Sequence, residues 1–109
     1  TNETEKLIDK DKIKLMDSNS IFINAARGPI VDNQALANAL EKGQIRGAGI
    51  DVFESEPPLS DDNPFINLDN TVLTPHVGFA TQEAFNKRAK IVFNNIILWE
   101  EGKPQNVIV

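Results

Sequence analysis

Ile21-Phe22-Ile23-Asn24-Ala25-Ala26-Arg27-Gly28-Pro29-Ile30-Val31-Asp32 is the stretch that decides the fold. It opens on three consecutive apolar residues, β-branched at both ends. An apolar run without polar alternation predicts a strand buried on both faces, as in a parallel sheet. Gly28-Pro29 then marks a turn. Asp32 is a good N-cap for a following helix, whose apolar face is Ala35, Leu36, Ala39 and Leu40. Gly43 supplies the stop.

On the C-terminal side, residues 48–53 read as a second buried strand. Gly47 and Gly49 suggest another backbone packed close to it. An irregular stretch rich in Pro, Asp and Asn runs from 56 to 70. Residues 71–74 read as a third strand, ended by Pro75. Thr81 caps a long helix over 82–101, which Gly102 stops and Pro104 keeps from resuming. Residues 107–109 are compatible with another strand or a frayed end. On the N-terminal side, residues 3–8 are short, polar and compatible with helix. Asp9 or Asp11 caps a second short helix through Ile13, Leu15 and Met16, and Ser18-Asn19-Ser20 breaks it. This order of strands and helices predicts an α/β fold with a mostly parallel sheet of three strands.

Composition narrows the chemistry. The 109 residues make one ordinary domain. There is no Cys, hence no disulfide, thiolate metal site or cysteine nucleophile, and a single His cannot build a multi-histidine metal site. A net charge of −5 without a basic stripe argues against a nucleic-acid partner. No charged-then-apolar leader opens the chain, and the apolar run 91–99 is broken by Asn94 and Asn95, far short of a membrane span. A soluble, cytoplasmic protein is the expectation.

In an open α/β sheet, ligands bind beyond the carboxyl ends of the strands. Arg27 follows the first strand, Asp51, Glu54 and Glu56 follow or end the second, and His76 follows the third. Parallel strands bring all of them to one edge. Arg27 is a permanent planar cation suited to bidentate carboxylate recognition. His76 is the one side chain with an ordinary pKa near neutrality, and Glu56 can orient its ring. Asp51 ends a buried strand, where an acid is unexpected; it can cap a turn or hold a polar ligand group. Taken singly, each has a plain structural reading: a solvated Arg, a loop His, a loop acid. Taken together they fit proton transfer on a 2-hydroxy or 2-oxo acid, a reaction that needs a hydride carrier.

The residues 23–32 resemble the NxxRGxxVD signature of the D-isomer-specific 2-hydroxyacid dehydrogenases. Gly49-Ile50-Asp51-Val52-Phe53-Glu54-Ser55-Glu56-Pro57 is similar to the family's GxDVFxxEP, and Thr74-Pro75-His76-Val77-Gly78, followed by Thr81-Gln82-Glu83-Ala84, to its TPHxG segment. The resemblance implies a role for each matching position. Arg27 binds the substrate carboxylate, His76 is the acid/base, and Glu56 is its carboxylate partner. Ala25, Ala26 and Asp51 line the nicotinamide end of NAD, with Arg27 and His76 alongside and Gly78 where the main chain nears the cofactor. Phe79 stands where many members carry a small residue. Glu56, rather than Gln, sets the chain apart from the formate-specific branch.

Two expectations concern what is missing. Family members are roughly three times this length, with a substrate domain and a dinucleotide-binding domain. The GxGxxG phosphate loop and the ribose-binding acid after it are not in this sequence. The resemblance therefore implies the second half of a Rossmann-type sheet flanked by helices over 1–109, with 104–109 starting the return to the substrate domain. It implies a glycerate- or phosphoglycerate-dehydrogenase-like enzyme using NAD, with NADP left open, on a small 2-hydroxy/2-oxo acid, and little activity in the 109 residues alone. A cut sheet edge and the apolar second half of the last helix predict a homodimer or larger association. The competing reading is a non-enzymatic binding module or a corepressor-like member of the same family.

Overall fold

The computed structural model describes residues 3–55 and 59–108, in two compact units, Thr1–Val77 and Gly78–Val109. In the first unit, α1 (Lys10–Lys14) leads to β1 (Ile21–Asn24), and a single 3-10 turn, Gly28–Ile30, precedes α2 (Asn33–Glu41). Then come β2 (Gly47–Ile50) and β3 (Thr71–Leu73). The second unit is built on α3 (Gln82–Glu100).

The three strands form one parallel sheet in the order β1-β2-β3. Parallel neighbours require a crossover, and α2 supplies it between β1 and β2. Between β2 and β3 the described residues, 51–55 and 59–70, form loop and turns with no helix. Phe65 anchors this stretch in the core at 1% exposure. Thr71 Oγ1 donates to the Phe65 and Leu68 carbonyls, and Asn70 Nδ2 donates to the Leu40 carbonyl. These bonds replace what a helix would have satisfied internally.

The caps follow the sequence. Asp9 accepts from the Lys12 amide to start α1, Asp32 from the Ala35 amide to start α2, and Thr81 from the Ala84 amide to start α3. Hydrogen bonds from the Lys12 side chain and then its amide hold the Asp9 carboxyl below the usual carboxylate range. Gly43, at φ 63, ends α2 in the left-handed region open to glycine.

Register divides the sheet into two faces. Phe22, Ala48, Ile50 and Leu73 belong to the core, where Leu36, Ala39 and Leu40 of α2 and Ile13 of α1 pack. Ile21, Ile23 and Val72 lie on the opposite face and are 60%, 74% and 67% exposed. The expectation of a first strand buried on both faces is therefore corrected. An apolar run encodes a preference, and burial also needs a layer of side chains on each face.

Four smaller expectations shift. Residues 3–8 form a turn rather than helix, and Ile8 bridges to Val31 in parallel. β2 stops at Ile50, so residues 51–53 are loop, although all three are buried. Gly47 does meet a backbone, since a Cβ there would lie 3.0 Å from the Asn70 carbonyl oxygen, but at Gly49 the nearest atom is the Ile23 side chain at 3.8 Å. Val107 and Ile108 are not strand.

In the second unit, α3 buries none of its side chains. Phe79 meets Phe85 edge-on with ring centroids 6.1 Å apart, and the Arg88 guanidinium sits 4.7 Å from the Phe79 centroid. The large side chain at position 79 is thus held by an aromatic and a cation–π contact. Among the described residues no helix is long and apolar enough to cross a membrane.

Candidate active site at the carboxyl edge of the sheet

Each strand of the first unit delivers a loop to the same edge, because all three run parallel. After β1, the buried Asn24 shapes the turn. Its Oδ1 accepts from the Ala26 amide at 3.1 Å and its Nδ2 donates to the Arg27 carbonyl at 3.1 Å. One amide thereby satisfies both ends of a tight loop. Ala25, Ala26 and Arg27 are exposed on that loop. The Arg27 backbone is extended, and its guanidinium donates to the Ala26 carbonyl at 2.6 Å. Arg27 is exposed, and among the described residues no carboxylate forms an ion pair with it.

Gly28 brings this loop against the one that follows β2. A Cβ at Gly28 would fall on the Phe53 carbonyl group and the Glu54 nitrogen, all main-chain atoms. Asn33, also buried, ties the same two loops through its Nδ2, which donates to Glu54 Oε1 at 3.0 Å and the Gly28 carbonyl at 3.4 Å. Among the described residues, its buried Oδ1 has no hydrogen-bond partner. Such an orphaned acceptor costs about 1–3 kcal/mol.

Asp51 continues the β1–β2 ladder, its amide donating to the Asn24 carbonyl at 2.9 Å. Its carboxylate is buried at 7% residue exposure. Oδ1 accepts from Thr74 Oγ1 at 2.5 Å and from the Val77 amide at 2.8 Å. Between those two donors lies His76, at φ 56, its amide donating to the Thr74 carbonyl at 3.0 Å. A shallow apolar recess of about 170 Å³, lined by Phe53, Leu59, Leu73, Thr74 and Pro75, adjoins this loop.

The sheet thus gathers the loops of Arg27, Asp51 and His76 at one edge of the first unit. Glu56 lies outside the described residues, and Gly78 opens the second unit. Sequence reasoning missed Asn24, Asn33 and Thr74 as the residues that shape these loops. Asn24 and Thr74 carried a signal, as the first residues of the NxxRGxxVD-like and TPHxG-like segments, without a stated role; Asn33 carried none beyond its helix-start position.

The edge is compatible with the nicotinamide end of a dinucleotide. The methyl side chains of Ala25 and Ala26 leave the β1 end open, and the exposed Arg27 sits next to them. The sequence has no GxGxxG loop of the kind that cradles phosphates at a helix N-terminus.

Comparison with known proteins agrees with this geometry. The profile for the D-isomer specific 2-hydroxyacid dehydrogenase, NAD binding domain, matches residues 1–78. Glyoxylate reductase of Pyrococcus furiosus is 46% identical over 109 residues, which cover 100% of this chain and 32% of that protein. An acyclic imino acid reductase solved with NADPH and D-Arg superposes with a TM-score of 0.87 at 36% identity, over 100% of this chain and 34% of that one. D-lactate dehydrogenase of Aquifex aeolicus, solved with NAD and lactic acid, gives 0.80 at 30% identity, over 94% of this chain and 35% of that one. The chain therefore spans about a third of the length of the curated relatives it matches. With a Rossmann-type parallel sheet and a family match over most of its length, this chain belongs to the D-isomer specific 2-hydroxyacid dehydrogenases, a family of oxidoreductases acting on 2-hydroxy acids.

Proposed function

We propose that this chain supplies the nicotinamide-side half of a dinucleotide-binding domain, together with the substrate-binding and acid/base residues of a D-2-hydroxyacid dehydrogenase. The observation that carries this reading is the convergence of the Arg27 and His76 loops at the carboxyl edge of one parallel sheet. Arg27 holds the carboxylate of a 2-oxo acid through two parallel N–H bonds. His76 gives a proton to the 2-oxo oxygen in reduction and takes it back from the hydroxyl in oxidation. Glu56 is the carboxylate partner that orients the imidazole ring. NAD, or NADP, supplies the hydride when bound, next to Ala25, Ala26 and Asp51, with Gly78 following the histidine loop. The substrate is a small 2-oxo acid such as glyoxylate, hydroxypyruvate or pyruvate. The glyoxylate reductase and D-lactate dehydrogenase relatives support that class.

The test is a chimera in which this chain replaces the matching third of the Pyrococcus furiosus glyoxylate reductase. The chimera is expected to oxidise NADH or NADPH with at least one of the three acids, and the 109-residue chain alone is expected to give no measurable turnover. A folded chimera that binds cofactor and turns over none of them contradicts the reading and favours a binding module. Turnover by the chain alone contradicts the need for the phosphate-binding half.

Association is a further part of the proposal. Ile21, Ile23 and Val72 on the sheet, and Phe93, Ile96, Ile97 and Trp99 on α3, are large apolar side chains at least half exposed. Apolar surface in that quantity drives association. Sedimentation of the chain at high concentration is expected to give the mass of a homodimer or more, and a strictly monomeric mass contradicts it.

A further inference from the structure

We infer that Asp51 is a positioning residue, whose buried carboxylate fixes the backbone of the loop that presents His76. The inference rests on the dehydrogenase reading for its functional meaning and on geometry for its substance. A buried carboxylate is costly unless hydrogen bonds satisfy it. Asp51 Oδ1 takes two donors, the Thr74 hydroxyl at 2.5 Å and the Val77 amide at 2.8 Å. These residues bracket His76 in sequence, so one oxygen ties down the loop on both sides of the histidine.

What it ties down is an uncommon conformation. His76 has φ 56, in the left-handed region that a side chain with a Cβ enters at a penalty. A local bond helps, from the His76 amide to the Thr74 carbonyl at 3.0 Å. Asp51 adds long-range contacts, 23 residues from Thr74 and 26 from Val77. Asp51 is itself anchored to the sheet by its amide bond to the Asn24 carbonyl. The same Asn24 shapes the Arg27 turn. Hydrogen bonds thus run unbroken from the Arg27 loop through Asn24 and Asp51 to the His76 loop. A strained residue held by its surroundings is a way of fixing a reactive group before substrate arrives.

The test uses the isotope-labelled 109-residue chain, by NMR. Asp51→Leu keeps the branched outline of the side chain, at a larger volume, and removes both acceptor oxygens. It is expected to speed hydrogen exchange of the Val77 amide by about 10- to 100-fold relative to the Gly49 amide of β2. It is also expected to move the His76 Cα shift and HN–Hα coupling toward negative φ. Asp51→Asn keeps one carbonyl acceptor and is expected to restore Val77 protection to within several-fold of the natural chain. Thr74→Val, a milder change, is expected to speed Val77 exchange several-fold, and it decides the matter if the leucine variant does not fold. Unchanged Val77 exchange and unchanged His76 φ signals in the folded variants overturn the inference. These readouts do not involve catalysis, so failure of the dehydrogenase reading in the chimera leaves them standing.

Discussion

His76→Asn in the chimera is expected to lower kcat/KM for the 2-oxo acid by about 100- to 10,000-fold, the usual contribution of a positioned acid/base. Asparagine suits this test because it is among the few residues that tolerate φ 56. The loop keeps its shape, and the variant deletes the imidazole alone. Cofactor affinity is expected to change far less than kcat/KM, since the proton transfer is to the substrate oxygen. The measurement is steady-state turnover together with NADH binding by fluorescence. A variant that retains turnover within threefold takes His76 out of the proton transfer.

Gly28→Ala is expected to be the most destabilising of the single-methyl changes in the first unit, by about 3 kcal/mol or more. The added carbon would fall on the Phe53 carbonyl and the Glu54 nitrogen, and main-chain atoms cannot rotate aside as a side chain does. Relief requires the Arg27 loop and the loop after β2 to separate, which also strains the Asn33 to Glu54 bond. A domain of this size has about 5–15 kcal/mol of stability in all. Urea unfolding of the chain followed by circular dichroism measures the change. A midpoint equal to that of the natural chain would show that the two loops are not in backbone contact.

Gly28 illustrates how much of the site could be read in advance. As part of Gly28-Pro29 it signalled a turn, and a turn of 3-10 helix is there. Its stronger reason is tertiary, a backbone 25 residues away, which no local pattern encodes. The helix starts at Asp32 and Thr81 were legible because a cap is a local hydrogen bond. The gathering of Arg27, Asp51 and His76 at one edge was legible because parallel order follows from strand–helix–strand succession. The exposed face of β1 was not, because Ile21 and Ile23 report what the strand prefers and not what covers it. Nor was the conformation of His76, since its left-handed φ depends on a carboxylate far back in the chain. An acid at the end of a buried strand is out of place, and the Thr74 hydroxyl and Val77 amide are among the groups that satisfy the Asp51 carboxylate.

The central claim is that this edge binds a 2-hydroxy acid in one handedness and passes its proton through His76. The most direct measurement offers the chimera D-lactate and L-lactate, or D-glycerate and L-glycerate, with NAD or NADP, and follows reduced cofactor by absorbance. Oxidation of a D acid is expected, with the L acid at least about 100-fold slower. Equal rates for both enantiomers, or a preference for L, would contradict it.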